Sequence, residues 1–461
     1  MEKGNLAKKM SMVTKKEKSS YGSYFIGQNI YYLLLYMFLV PYFTDIGIPA
    51  ASVAVLTLIV KAWDAINDPI FGGIVDRVKF KKGKFLPWLK VSLLAIPAST
   101  ILLFAIPASL PVAVKITWAA VAYILWDTAY TICDVPIFGI VTTMTDEQQE
   151  RTSLLTIGRM SALIAALMVS VVVPMLKGVI GGWLPTTIVL SVIAIISMIP
   201  ICLTANERIE PKAAEKETTV KEMFSFLRQN KYMLIFFGAI LIIQSAGIGN
   251  SMGLYTARYL LGNEALMTLT SLVPMLPMLL IGFFVPAIVK RVDKYYLFLW
   301  ANIATVVISA VLFFVGYSNM TLYLVMLILR GIPVGITSIL MFMFTPDCAE
   351  YGCYKSGISA PGISFSIQTF TSKLTAALAT SLGAACLAAI GFVEGEGAVQ
   401  TAGFTDRFWA VTVWVPVVGA ILGIIVLSFY KLRDNSVQIM AKCNAGEISR
   451  EDAAKALEGK L

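Results

Sequence analysis

Two aspartates, Asp64 and Asp68, stand one helical turn apart in a stretch from Ala50 to Val75 that is otherwise apolar enough to cross a membrane. A carboxylate at bilayer depth costs about 2.5–3.5 kcal/mol even on lenient insertion scales. Two at spacing i, i+4 share one face and repel each other. Such a pair persists where its face borders a watery cavity and a cation, a proton or a basic side chain sits between the carboxylates. Lys61 and Asn67 continue the same stripe. Carboxylates and an amide are hard oxygen ligands of the kind Na+ or Li+ takes. A proton shared by the pair relieves the same repulsion. An internal Lys61–Asp64 salt bridge is the bland reading, but one lysine does not neutralise two aspartates. The pair is therefore read as a coupling-ion site for Na+, Li+ or H+.

A second polar face lies in the stretch Trp126-Asp-Thr-Ala-Tyr130-Thr131-Ile-Cys-Asp134-Val-Pro-Ile-Phe138. Asp127 and Asp134 are seven apart, so helical geometry puts both on one side with Tyr130 and Thr131. An aromatic platform beside a carboxylate suits a sugar, whose CH faces stack on rings while its hydroxyls donate to the carboxylate. Helix packing through the same hydroxyls is the bland alternative. Arg159 and Lys373 are lone cations inside apolar stretches, each expected to pair with one of these aspartates. Asp347 and Glu350 close a long apolar run, where charge is cheap. With Asp76, Arg77 and Lys355 they are expected to gate or to pack loops.

The elements that must position these residues are membrane helices. Of the 461 residues, 57% are hydrophobic and 14% charged, and mean hydropathy is +0.77, which excludes a soluble enzyme. A span needs about 20 apolar residues. Twelve candidates begin near Tyr21, Ala50, Pro87, Pro111, Ser153, Leu184, Tyr232, Leu266, Tyr296, Thr321, Ala360 and Phe408. The expected organisation is a cytoplasmic tail (1–20), six spans (21–205), a Glu- and Lys-rich linker (206–231), six spans (232–430) and a tail (431–461). That tail is read as solvated, although 447–461 has some amphipathic character. The first twenty residues carry six lysines and no continuous apolar core, so no cleavable signal peptide is expected.

Alternating the loops leaves only Lys115, Lys177, Arg258 and Arg407 outside, with Lys61, Arg159, Arg330 and Lys373 inside spans; the other 29 of 37 basic residues fall on one side. The positive-inside rule puts that side, and both termini, in the cytoplasm. The net charge of +9 is thereby explained without nucleic acid. Six scattered cysteines form no C-x-x-C pair, and the absence of histidine leaves proton chemistry to carboxylates.

The halves echo each other. The loop Gly72-Gly-Ile-Val-Asp76-Arg77 through Lys84 is similar to the basic inner loop of the major facilitator superfamily, and Pro286-Ala-Ile-Val-Lys290-Arg291-Val-Asp-Lys294 looks like its decayed copy. Repeated six-helix halves with a midplane site are a transporter plan. Further runs are more specific. Trp63-Asp-Ala-Ile-Asn-Asp-Pro69, Gly83-Lys-Phe-Leu-Pro-Trp88, Tyr130-Thr-Ile-Cys-Asp-Val-Pro136, Asp347-Cys-Ala-Glu-Tyr-Gly352 and Phe365-Ser-Ile-Gln-Thr369 with Lys373 together resemble the glycoside–pentoside–hexuronide:cation symporter family.

The resemblance implies an all-α polytopic membrane protein, twelve transmembrane helices in two six-helix bundles with the major facilitator superfamily fold. It implies a cation site at Asp64, Asn67, Asp68 and Thr131. It also implies a sugar site at Asp134, Trp126, Tyr130 and Arg159, joined by Gln28, Asn29, Phe138 and Thr369, with Lys373 near the cation. Where the melibiose branch has a lysine–aspartate pair on the first span this chain has Gln28-Asn29, where it has tryptophan this chain has Phe138, and where it has glycine this chain has Asp127. These departures argue against an α-galactoside and leave a glycoside of another kind; Arg159 and Lys373 would suit a hexuronate, but both have nearby aspartates as partners, so a neutral substrate is favoured. The expected protein is a cation-coupled sugar importer of the inner (cytoplasmic) membrane, working as a monomer in the lipid bilayer and not an enzyme. An exporter of amphipathic drugs or lipids is the alternative. A sensor signalling through the short tails is a weaker one.

Overall fold

In a bilayer every backbone N–H and C=O needs a partner within the protein, so the apolar runs of this chain fold as helices. The computed structural model describes residues 13–78, 80, 83–145, 147–209, 228, 230–356 and 361–459, and its regular elements there are all helical. They divide into two units. Unit 1 comprises Met1–Ala214 with Glu394–Ala398, and unit 2 comprises Glu215–Val393 with Val399–Leu461. Most of the expected linker (210–227 and 229) and residues 1–12 of the expected N-terminal tail lie outside the described residues.

Unit 1 holds α1 (Lys15–Asp45), α2 (Ala50–Arg77), α3 (Leu86–Phe104), α4 (Val112–Met144), α5 (Gln148–Leu176) and α6 (Trp183–Thr204). A capping box starts α1, with Thr14 accepting from the Glu17 amide and Glu17 accepting from that of Thr14. Proline precedes α2 and α4 at positions 49 and 111, where a missing amide proton costs nothing. α1 runs against α5 and α6. Gly27 permits this: a side chain there would collide with the Ala194 carbonyl and Met198 on α6.

The start of α3 is capped from a distance. Glu207 Oε2 accepts from the Lys84 amide at 3.0 Å, and Oε1 from the Phe85 and Leu86 amides at 2.9 and 2.8 Å. One carboxylate thus satisfies three otherwise orphaned donors at a positive helix end. Removing it in Glu207→Ala is expected to cost about 1–2 kcal/mol. Thermal unfolding of the detergent-purified protein should fall by a few degrees; an unchanged melting curve would contradict the cap.

Glu394–Ala398 packs at the opposite end of unit 1. The Gly395 and Glu396 amides donate to the carbonyls of Thr44 and Asp45 at 2.8 and 3.0 Å, and Lys177 Nζ donates to Glu396 Oε1 at 2.6 Å. The Asp45 carboxylate in turn accepts from Trp183 Nε1 at 2.9 Å.

Unit 2 holds α7 (Lys231–Ser245), α8 (Gly249–Tyr255), α9 (Leu266–Val289), α10 (Lys294–Val315), α11 (Met320–Ser356), α12 (Pro361–Ala389), α13 (Phe404–Leu427), α14 (Asp434–Asn444) and α15 (Arg450–Leu457). Gly331 lets α11 close on α9, since any side chain there would meet the Pro274 carbonyl. An aromatic core joins α7, α10 and α11 to the end of α13, with Phe236 and Phe344 stacked at 4.5 Å and Tyr295 parallel to Tyr430 at 6.1 Å.

Ten described helices are long and apolar enough to cross a membrane. The second expected span is α2, 28 residues long and carrying Lys61, Asp64, Asp68 and Asp76. The seventh expected span breaks after Ser245 into two short helices, α7 and α8.

The C-terminal tail departs from its reading as solvated. α14 and α15 fold back on unit 2, and Met440, Ala453 and Leu457 are buried, Met440 and Leu457 in the same core as Phe344. Asp434 seals the junction: its amide donates to Asp293 Oδ2 at 2.8 Å, and its carboxylate accepts from the Lys294 amide at 3.0 Å. The amphipathic pattern was present in the sequence, and the partner it needed was an apolar face only the folded unit provides.

Candidate functional site

α2 and α4 lie side by side in unit 1, and their polar stripes meet. Trp63 Nε1 donates to Thr128 Oγ1 at 3.0 Å, and Asn67 Nδ2 donates to Thr131 Oγ1 at 2.8 Å. Thr131 also donates to the Asp127 carbonyl one turn back, at 3.1 Å. Above this polar seam, Lys61 Nζ lies 3.2 Å from Asp64 Oδ2 and 3.6 Å from Asp127 Oδ1. The Asp127 side chain is 4% exposed, Asp64 13% and Lys61 24%. Asp64, Asn67 and Thr131 are thus brought to one seam. Asp68, Asp76 and Arg77 occupy α2 by their backbones, and their side chains lie outside the described residues.

The second cluster forms where α1 meets α4. Gln28, buried at 1% exposure, donates through Nε2 to Asp134 Oδ1 at 2.8 Å. Trp126 and Tyr130 stack at 5.1 Å with rings only 16° from parallel. Tyr32 continues the aromatic row 5.8 Å from Tyr130, and Tyr36 stacks on Tyr32 at 5.9 Å. The indole of Trp126 is itself held by Thr100 on α3, to which Nε1 donates at 3.0 Å. A row of flat apolar faces therefore runs beside a carboxylate and an amide, an arrangement that binds a ring bearing hydroxyl groups.

Two other expected members turn to Phe25. Asn29 turns its Nδ2 back to the Phe25 carbonyl of its own helix at 2.8 Å. Phe138 packs edge-on to Phe25 at 5.4 Å and is 49% exposed. Arg159 is exposed on α5. Thr369, exposed, and Lys373, half-buried, lie on α12 in unit 2. There α12 also carries Gln368, hydrogen-bonded to Thr345, and Thr375, which donates to Gln244 Oε1 at 3.3 Å.

Asp347 and Glu350, expected as gate residues, are tied within unit 2. Lys294 Nζ lies 2.6 Å from Asp347 Oδ2 and 3.2 Å from Asp434 Oδ1. Asn444 on α14 donates to Glu350 Oε2 at 2.7 Å. Lys294 and Asn444 were not singled out in the sequence. Lys294 ends the decayed loop copy, and only its position there marks it; Asn444 has no sequence signal of its own.

The family profile described as "MFS/sugar transport protein" matches residues 20–434, nearly the whole helical region. The chain belongs to this family. It is therefore a multi-pass membrane transporter of the major facilitator superfamily and not an enzyme. Among relatives of this MFS/sugar transport protein is the uncharacterized symporter YnaJ of Bacillus subtilis, 28% identical over 94% of this chain and 95% of its own length. The isoprimeverose transporter of Lactiplantibacillus pentosus is 26% identical over 92% and 90% of the two chains. The glucuronide carrier protein homolog of Escherichia coli is 24% identical over 89% and 91%. Among solved structures, the nucleoside transporter NupG superposes with a TM-score of 0.62 at 16% identity, covering 90% of this chain and all of NupG. That likeness is one of fold.

Proposed function

We propose that the protein is a cation-coupled symporter that carries a glycoside or other sugar into the cell by alternating access. It would sit in the inner membrane with both termini in the cytoplasm and work as a monomer. The observation that carries this reading is the adjacency, along α4, of two clusters of different chemistry. The Trp126–Tyr130 stack with the Gln28–Asp134 pair suits a sugar ring. Within the same two turns, Thr131 joins Asn67 and the Asp64 stripe of α2, which suits a small cation. A ligand that orders one cluster alters the other through a single rigid helix, which is a physical route to the reciprocal coupling that symport demands. The names of the isoprimeverose and glucuronide relatives support a saccharide as the transported class. A drug or lipid exporter gains no support from a site built around half-buried carboxylates and a buried amide.

The test is a panel of glycosides, neutral and uronide, assayed for uptake into energised membrane vesicles with Na+, Li+ or a pH step. At least one sugar should accumulate only when its cation gradient is imposed. Uptake indifferent to all three cations would refute symport.

A further inference from the structure

Lys61 presents a problem for any cation held at Asp64. Its ammonium already lies 3.2 Å from Asp64 Oδ2, and two positive charges competing for one carboxylate oppose each other. The same ammonium lies 3.6 Å from Asp127 Oδ1, on the neighbouring helix. A shift of well under one ångström would exchange the nearer partner. Asp127 is the more deeply buried of the two carboxylates, at 4% against 13%, and is thus the less accessible to an ion entering from water. The seam below is held separately by Asn67–Thr131 and Trp63–Thr128, so the lysine can change partner without parting α2 from α4.

We infer that Asp127 is a positioning residue for the coupling ion: it receives the Lys61 ammonium when Na+ or Li+ takes Asp64. In the ion-free state Lys61 leans on Asp64 and keeps that carboxylate from standing unpaired at membrane depth. On binding, the cation replaces it there and the ammonium is neutralised by Asp127. The device makes ion binding an exchange of cations at Asp64: the one ammonium shared by two carboxylates in the ion-free state passes to Asp127, and the incoming ion supplies the second positive charge. It rests on the proposed cation site at Asp64 and deepens it by naming what the ion must displace and where the displaced charge goes.

The experiment uses the full-length protein purified in detergent, titrated with NaCl and LiCl and followed by calorimetry and by the fluorescence of Trp63 and Trp126. The wild type should bind one of the two ions saturably. Asp127→Asn should weaken that binding by about tenfold or more, the size expected for coupling between neighbouring charges. Lys61→Gln in the Asp127→Asn background should restore it to within about threefold of the wild type, because the competitor is gone. Asp127→Glu should retain most of the affinity. A merely structural pair would lower yield or thermal stability in Asp127→Asn and leave the ion affinity of the folded fraction unchanged, which would overturn the inference. Failure of Lys61→Gln to rescue would overturn it as well. Absence of saturable Na+ or Li+ binding by the wild type would also overturn it, while the symport reading itself is decided separately by uptake under a pH gradient.

Discussion

Asp64→Asn is expected to abolish accumulation of sugar against a gradient while leaving exchange of sugar across the membrane measurable. Asp64 sits at the seam of α2 and α4 at 13% exposure, with the Lys61 ammonium as its ion partner. An amide keeps the shape and one acceptor oxygen but removes the charge that makes a small cation worth dehydrating. Losing one member of a partly buried charge pair costs about 3–5 kcal/mol, which corresponds to more than a hundredfold in cation affinity. The helix should still insert, because Lys61 retains Asp127 at 3.6 Å. The measurement is a pair of assays on one preparation, concentrative uptake in energised vesicles and counterflow in de-energised ones. Loss of the first with survival of the second is the expected result; full concentrative uptake would place the coupling ion elsewhere.

The second large effect is expected at the sugar cluster. Asp134→Asn replaces a charge-assisted acceptor by a neutral amide at the point where Gln28 Nε2 approaches to 2.8 Å. A hydrogen bond to a charged group contributes about 1.5–3 kcal/mol, so affinity for the transported sugar should fall about 10- to 100-fold. Titration of the same variant with NaCl or LiCl in the absence of sugar should show little change, because Asp134 accepts from Gln28 of α1 while Asn67 and Thr131 pair across α2 and α4. Loss of ion binding together with sugar binding would merge the two clusters into one site. Unaltered sugar affinity would remove Asp134 from recognition.

Much of the site was legible in the sequence because helical periodicity is rigid. Lys61, Asp64 and Asn67 fall on one face whatever surrounds them, and an ionisable group in an apolar run requires a partner in any fold. The Asn67–Thr131 contact joins two residues that the family resemblance had assigned to one cation site. Periodicity was less informative about Asp127 and Asp134. Seven residues apart, they share a face of α4, yet they meet different neighbours. Asp127 meets Lys61 of α2, and Asp134 meets Gln28 of α1. Asn29 and Phe138 show the same limit. Both are suited by type to a sugar, and both turn to Phe25, one to its carbonyl and the other to its ring.

Residue order alone is enough to place the chain in a membrane, to range its polar residues in stripes, and to require positive partners for the carboxylates on α2 and α4. Those conclusions rest on transfer energies and on the 3.6-residue repeat, which are local properties of a segment. Which stripe faces which is a matter of packing. Pairing across helices depends on how ridges and small residues let backbones approach, as Gly27 does for α1 against α6. The same non-local information placed Glu207 on the start of α3, drew α14 and α15 onto unit 2, and set Lys61 between two carboxylates.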